Sequence, residues 1–260
     1  MVNSSIKLHY REFGAENGGP PLLLLHGLLG SLVNWQTIAR RLAQHHRVVV
    51  PDLRNHGRSP HHPDVSYQAM AGDVVALLDE LEIPSVVPVG HSMGGKTAMW
   101  LALEQPGRVE KLVVVDIAPV TYPGRLGALM DALLELPLDR IERRAEADEW
   151  LKRRIPERAV RDYLLQNLVR TGEGWRWRTN LRALRDGLDL ISGFPEVPGG
   201  VHYPGPALFV HGSRSDYVKP EYLPRMELLF PRMERVALEA GHWVYAEQPE
   251  AFLSVLEQFL

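Results

Sequence analysis

The chain of 260 residues contains no cysteine. That absence excludes a disulfide framework, a thiolate metal site and a cysteine nucleophile. No apolar run approaches the ~18 residues that a membrane-spanning helix needs, so no membrane span is expected. The first ten residues, MVNSSIKLHY, lack the apolar core of a secretory leader. An excess of positive charge is missing as well: 29 Lys and Arg stand against 32 Asp and Glu, for a formal net charge of −3. A nucleic-acid partner is therefore not expected. Without a leader, a span or cysteines, the expected location is cytoplasmic. Internal repeats and low-complexity tracts are also missing.

What remains is ordinary globular material. The apolar fraction of 45% supplies a sizeable core. The length fits one large domain, or one domain carrying a substantial insertion.

The stretch from Val86 to Met99, VVPVGHSMGGKTAM, organises the chain. Val86, Val87 and Val89 read as a short buried strand. Gly90-His91-Ser92-Met93-Gly94 fits the pattern G-x-S-x-G, and Lys96 opens a run with helical character up to Gln105. Strand, sharp turn and helix form the context in which that pattern marks a nucleophile elbow. Ser92 is expected in strained backbone with its hydroxyl exposed. A Cβ at 90 or 94 is expected to strike the neighbouring helix or strand. The following helix would direct its N-terminal N–H groups toward an oxyanion formed at Ser92. The pattern alone is weak, because a glycine-rich turn with an incidental serine also satisfies it.

Around this stretch, short apolar runs at residues 6–13, 22–25, 47–50 and 111–115 read as strands. They alternate with helical segments at 34–43 and 66–81; the second carries apolar residues at 70, 74, 77, 78 and 81. Nearly continuous apolar strands alternating with helices indicate a mostly parallel sheet covered on both faces, an α/β fold. Ligands bind at the C-terminal ends of such strands. The rhythm breaks between residues 119 and 200, where no clear strand is seen and helices are expected at 126–136, 138–153, 157–169 and 180–191. This segment is expected to form a helical cap inserted into a core made of residues 1–118 and 201–260. The α/β rhythm returns with strands at 207–210 and 234–238 and helices at 221–230 and 249–260.

Three residues at strand ends combine into a chemical constellation. Acyl transfer by a hydroxyl needs a base to shuttle its proton and an acid to orient the base. Ser92, Asp216 and His242 occur in the order nucleophile, acid, base, each in a turn after an expected strand. Asp116 follows the strand after the elbow helix and is the alternative acid. Met93 and Leu28 are the expected oxyanion donors through their backbone N–H groups. His91 is expected to be structural, and Asp52 to brace the turn from Arg54 to Ser59. His26 is expected to hold the oxyanion turn by hydrogen bonds. His45, His46, His61 and His62 form pairs without carboxylates at ligand spacing, so solvated loop histidines are expected rather than a metal site. Leu29, His26, Met130, Leu133, Leu134, Trp150 and Trp243 are the candidate walls of an apolar pocket, beside Leu28 and Met93.

The segments LLLLHGLLGS, VVVPDLRNHGRSP, DVVALLDELEI, GHSMGGKTAM, LVVVDIAPV and AGHWVYAEQP together resemble the α/β-hydrolase superfamily, and within it the YbfF-like carboxylesterases. The resemblance spans nearly the whole chain, including WRWRTNL in the insertion. It implies an α/β-hydrolase fold and a serine esterase acting on short- to medium-chain acyl esters or thioesters, with no cofactor. Some members of that subgroup rely on the acid matching Asp116, and both positions carry Asp here, so the resemblance leaves the acid open. The same constellation also serves cofactor-free perhydrolases, C–C bond hydrolases and acyltransferases, and a low-turnover ligand receptor could retain it. A small-molecule acyl ester is the expected partner; the sequence carries no signal of oligomeric state.

Overall fold

The structure is a computed structural model that describes residues 5–124 and 126–260. Its centre is a seven-stranded sheet. The strands are β1 (Tyr10–Phe13), β2 (Gly19–Leu25), β3 (His46–Pro51), β4 (Val87–His91), β5 (Leu112–Val115), β8 (Ala207–Gly212) and β9 (Met233–Leu238), in the order β1-β3-β2-β4-β5-β8-β9. Only β1 runs antiparallel to its neighbour; the other pairings are parallel. The period of two along each strand sorts the side chains onto two faces. Leu22, Leu24, Val48, Val50, Val87, Val89, Val113 and Val115 join one buried cluster. Leu23, Leu25, Val49, Val86, Val114 and Phe209 join the other. Both faces are therefore covered, as the all-apolar strands required.

Helices α1 (Gln36–Leu42) and α11 (Pro249–Phe259) cover the first face through Ile38, Phe252 and Leu256. Helices α2 (Tyr67–Glu80) and α3 (Met93–Glu104) cover the second through Met70, Val74, Leu77 and Met99. The side chain of Ser66 caps α2 by accepting from the Ala69 N–H at 3.3 Å. One residue on the buried face of α2 is charged. Asp73 receives both Nε (2.7 Å) and Nη2 (2.8 Å) of Arg54, and both side chains are sealed from solvent. Asp73 also accepts the Ile6 N–H at 2.7 Å, and Arg54 donates to the Asp64 carbonyl at 2.9 Å. The pair ties the loop after β3 to α2.

Between β5 and β8 the chain forms α4 (Leu126–Leu134), α5 (Arg144–Lys152), α6 (Arg158–Leu165), α7 (Leu181–Asp186) and α8 (Leu188–Ser192). The expectation of no strand in this segment is corrected. β6 (Leu168–Thr171) and β7 (Gly174–Trp177) pair as an antiparallel hairpin. The helical period through Leu164, Leu165 and Leu168 runs into a strand because a short apolar run fits either geometry. The turn is made possible by Gly174 at φ 119°. The indoles flanking Arg176 fasten the hairpin: Trp177 Nε1 donates to Leu133 O at 3.0 Å and Trp175 Nε1 to Glu142 O at 3.3 Å. The segment expected as one helix over 138–153 is a 3₁₀ turn at Leu138–Arg140 followed by α5. Helix α9 (Leu223–Leu229) lies between β8 and β9, and a short helix α10 (Val244–Glu247), not anticipated, follows His242.

Removing one member of the sealed Arg54–Asp73 pair strands the other charge. Asp73→Ala is expected to lower unfolding stability by about 3–5 kcal/mol, measured by urea denaturation. A loss below about 1 kcal/mol, the scale of a surface pair, would show that the pair is not sealed in solution.

Candidate active site

The sheet register brings the chemistry together. At the C-terminal end of β4 the chain turns at Ser92, whose φ of 52° and ψ of −115° lie outside the comfortable regions for a residue with a Cβ. The Ser92 N–H continues the ladder by donating to Val115 O at 3.0 Å. α3 begins at once with Met93, three residues before the expected start at Lys96. The turn closes because its glycines allow it. A Cβ on Gly90 would strike the Gly94 carbonyl, and one on Gly94 would strike the backbone of Leu25. One strand over, Asp116 repeats the arrangement: its N–H donates to Val210 O at 2.9 Å, and its φ is 51°.

The carboxylate that meets His242 is Asp116, the alternative acid of the sequence reading, and not Asp216. His242 Nδ1 lies 2.7 Å from Asp116 Oδ2, and the Asp116 side chain is fully buried. The other oxygen, Oδ1, accepts the Gly212 N–H at 3.0 Å. Ser215 Oγ donates to Oδ2 at 2.5 Å and itself accepts the Tyr217 N–H at 3.3 Å. Asp216 is exposed at the cavity wall rather than holding this hydrogen bond. The residues of 213–216 turn outward after β8, which presents Ser215 to Asp116 and leaves Asp216 facing the cavity. An Asp after the penultimate strand and an Asp after the strand before it look alike in sequence; only the packing of β5 against β8 separates them.

His242 is held on several sides. The Tyr217 ring stacks on it with centroids 4.1 Å apart, and the His91 ring lies 4.5 Å away. His91 Nε2 donates to the His242 carbonyl at 2.9 Å, so His91 braces the His242 backbone, as a structural residue was expected to do. Burial and the neighbouring His242 push the His91 pKa well down, which keeps that ring neutral.

The turn after β2 is built by side chains from three directions. His26 Nε2 accepts the Leu53 N–H at 3.0 Å, and His56 Nε2 accepts the Leu29 N–H at 3.1 Å. Accepting at Nε2 places each ring's proton on Nδ1, where His26 reaches Gly27 O at 2.9 Å and His56 reaches Arg54 O at 2.8 Å. Desolvation holds both neutral: the His26 pKa falls to about 4 and that of His56 to about 3. From the insertion, Tyr163 donates to Leu28 O at 3.0 Å and Asn167 Nδ2 to Leu29 O at 2.5 Å. Thr179 Oγ1 in turn donates to Asn167 Oδ1 at 2.9 Å. These bonds fix the Leu28 peptide and the left-handed Leu29, at φ 60°. Met93, as the first residue of α3, has an N–H outside the helix's own ladder. Asp52 accepts from Leu32 N–H at 2.8 Å and Arg58 N–H at 2.9 Å, bracing its turn as expected.

Beside these groups lies one cavity of about 410 Å³. Ser92, His242, Leu28, Leu29, Met93, Asp216 and Trp243 line it. Four of the expected wall residues and His26 do not. Met130 and Leu133 share one stripe of α4 with Leu126 and Leu129 but sit further along the helix, fully buried in the core, while Leu126 and Leu129 nearer its start line the cavity. Leu134 is exposed, and Trp150 on α5 lies under the Arg154 guanidinium. His26 is sealed behind the turn it holds. Helical period identifies an apolar stripe, but which end of the stripe meets the cavity depends on how the helix crosses it. Among the described residues no cluster of metal-ligating side chains occurs, and no helix is long and apolar enough to cross a membrane.

A family profile described as the alpha/beta hydrolase fold matches residues 20–249. This chain belongs to the α/β-hydrolase family. The hydrolase is 42% identical over 264 residues to the sn-1-specific diacylglycerol lipase ABHD11 of Mus musculus, covering 98% of this chain and 85% of that one. It is 38% identical over 262 residues to Esterase YbfF of Escherichia coli (strain K12), covering 98% and 99% of the two chains. Among solved structures, a marine microorganism esterase matches with a TM-score of 0.94 and 36% identity, covering 98% of this chain and 100% of that one. The resemblance expected from the sequence is borne out, and the protein is an esterase-type hydrolase.

Sequence reasoning missed several residues that shape the hydrolase's site: His56, Tyr163, Asn167, Ser215 and Tyr217. Asn-His-Gly in the turn after β3 was the one visible signal, since a histidine between turn formers is well placed to cap a neighbouring backbone group. The neutral pair makes acid stability a test. Both folded pKa values lie below the ordinary ~6.5 of an unfolded histidine, so the unfolded chain binds protons first as pH falls. The stability these rings contribute is present above pH ~6.5 and is lost as pH falls toward 4 and then 3. His56→Gln keeps an acceptor for Leu29 without a titrating ring. It is expected to flatten the decline between pH 6.5 and 4 by up to about 1.4 kcal/mol per pH unit, read from urea midpoints. Parallel declines in both proteins would overturn this account.

Proposed function

We propose that this hydrolase is a serine carboxylesterase that cleaves short- to medium-chain acyl esters or thioesters through an acyl-enzyme, with Ser92, His242 and Asp116 as its triad. The observation that carries the proposal is the hydrogen bond from His242 Nδ1 to Asp116 Oδ2 beside a strained Ser92 elbow at one cavity. With its Nδ1 proton given to Asp116, the imidazole presents Nε2 as a base.

In the proposed reaction Ser92 Oγ attacks the acyl carbon while His242 takes the hydroxyl proton. The N–H groups of Met93 and Leu28 receive the oxyanion. Asp116 stabilises the imidazolium without taking the proton. The C–O bond to the alcohol breaks, and His242 gives its proton to the departing alkoxide. Water, deprotonated by His242, then releases the acid and restores Ser92. The N-terminal end of α3 adds a fixed favourable field at the oxyanion.

The acyl preference rests on the cavity. Its walls are largely apolar, through Leu28, Leu29, Met93, Ile117, Leu126 and Leu129, among others. Its 410 Å³ sits near the lower end of the roughly 300–1,000 Å³ common for small-ligand sites. That volume favours short to medium chains. We take residues 119–200 to act as the cap, since Val160, Tyr163 and Leu164 of α6 and Ile191 of α8 wall the cavity over the strand ends. A second reading, an acylglycerol as substrate, is favoured by the name of the mouse relative, a diacylglycerol lipase.

Hydrolysis of p-nitrophenyl esters from acetate to palmitate tests the proposal. Ser92→Ala and His242→Ala are expected to lower turnover by about 10⁴- to 10⁶-fold. Asp116→Asn is expected to cost on the order of 10⁴-fold, and Asp216→Asn less than about tenfold. Full activity in Ser92→Ala would sink the mechanism, and collapse of Asp216→Asn with an active Asp116→Asn would reverse the acid. Rates should peak between butyrate and octanoate. A maximum at palmitate, or a preference for long-chain diacylglycerol, would refute the chain-length assignment.

A further inference from the structure

One buried charge has no part in the reaction described above. Lys96 lies one turn into α3, four residues after Ser92, and is only 2% exposed. No carboxylate reaches it among the described residues. Its ammonium group instead donates to three backbone carbonyls: Val120 at 2.9 Å, Ser192 at 2.8 Å and Gly193 at 2.5 Å. The three donors of a charged lysine are therefore all used. The Tyr122 and Tyr67 rings lie beside it, with centroids 4.8 and 5.8 Å from Nζ.

The identity of those carbonyls gives the arrangement its meaning. Val120 belongs to the stem that leads from β5 into the insertion, whereas Ser192 and Gly193 end α8 and begin the stem that leads out. The stems also meet directly, since the Tyr122 N–H donates to Ser192 O at 3.0 Å. The final carbonyls of a helix lack partners within it and carry partial negative charge, which suits a cation. Tyr122 carries the link onward: it receives the Ala118 N–H at 2.9 Å and donates to Tyr217 O at 2.5 Å, and the Tyr217 ring stacks on His242. Ile117, Tyr122 and Pro123 from the first stem, and Ile191 and Ser192 from the second, line the cavity.

Burial without a counter-ion is unfavourable for the charge, and it pushes the Lys96 pKa down to about 7. A cation in the first turn of α3 also opposes that helix's dipole. A methionine would fill similar space without either penalty, so packing alone does not account for the lysine.

We propose that Lys96 is a positioning residue that clamps both stems of the insertion to the nucleophile helix and so sets how tightly the cavity grips an acyl chain. The part concerning acyl chains rests on the esterase proposal; the clamp itself does not. Hydrogen exchange separates the two, because it can be measured in a Ser92→Ala background, where no turnover is needed. Lys96→Met is expected to speed exchange about tenfold or more at residues 118–124 and 190–194 together, with little change in β2 and β3. In the active protein, Lys96→Met is expected to raise KM for octanoate at least about fivefold more than for acetate, a weaker grip on each added methylene, with kcat altered similarly for both. Unchanged exchange at both stems in a folded Lys96→Met protein overturns the clamp. Faster stem exchange with identical KM changes for the two esters overturns the role in acyl grip. If Lys96→Met does not fold, the unsubstituted protein still decides: the amides of Tyr122 and Gly193 are expected to open with one common protection factor, and values more than about tenfold apart overturn the clamp.

Discussion

The parallel ladder at the C-terminal ends of β4, β5 and β8 is the constraint on which the site depends. Ser92 N–H bonds to Val115 O and Asp116 N–H to Val210 O, so each chemical residue is the first past its strand and is pinned by the next strand over. Both residues leave the sheet in left-handed backbone, a conformation that costs roughly 1–3 kcal/mol at each position. Only a rigid surround sustains that strain, and the buried Leu and Val strands provide it. A slip of one residue between β4 and β5 would turn every side chain to the opposite face. The core therefore fixes the separation of Ser92 and Asp116 as well as the stability of the domain.

Around this frame the polar groups are arranged to stay uncharged or fully matched. His26, His56 and His91 are buried as neutral rings that accept from or donate to backbone. Arg54 and Asp73 are sealed as a bidentate pair. Lys96 is a charge answered by backbone carbonyls. The insertion takes part in the same economy. Tyr163 and Asn167 hold the carbonyls of Leu28 and Leu29, so the turn after β2 is shaped from both the sheet side and the segment between β5 and β8. A change in the insertion's packing would thus reach the chemistry through backbone hydrogen bonds as well as through the cavity wall.

The local signals read well from sequence because they depend on short-range physics. The apolar run at 22–25, the alternation of strands and helices and the glycines around Ser92 are each decided within a few residues. The signals that read poorly are the ones settled by contact over long sequence separations. The hairpin β6–β7 was hidden in helical periodicity. Met130 and Leu133 share a helical stripe with Leu126 and Leu129, and where α4 crosses the cavity decided which pair met it. His56 reaches the oxyanion turn across 27 residues, and Asn167 across 138.

The partner of His242 shows the division most clearly. The sequence by itself determined the glycine-flanked turn at Ser92, the histidine after the last strand and the α/β framework, because glycine tolerance, apolar periodicity and chain order are properties of the chain. It also placed an aspartate after each of two neighbouring strands. Only the tertiary structure decided that Asp116 meets His242, since that depends on where the loop after β8 turns: it presents Ser215 and the Gly212 N–H to one carboxylate and leaves Asp216 at the cavity wall. A hydrogen bond is decided within tenths of an ångström, and positions that fine are fixed by packing, not by order along the chain.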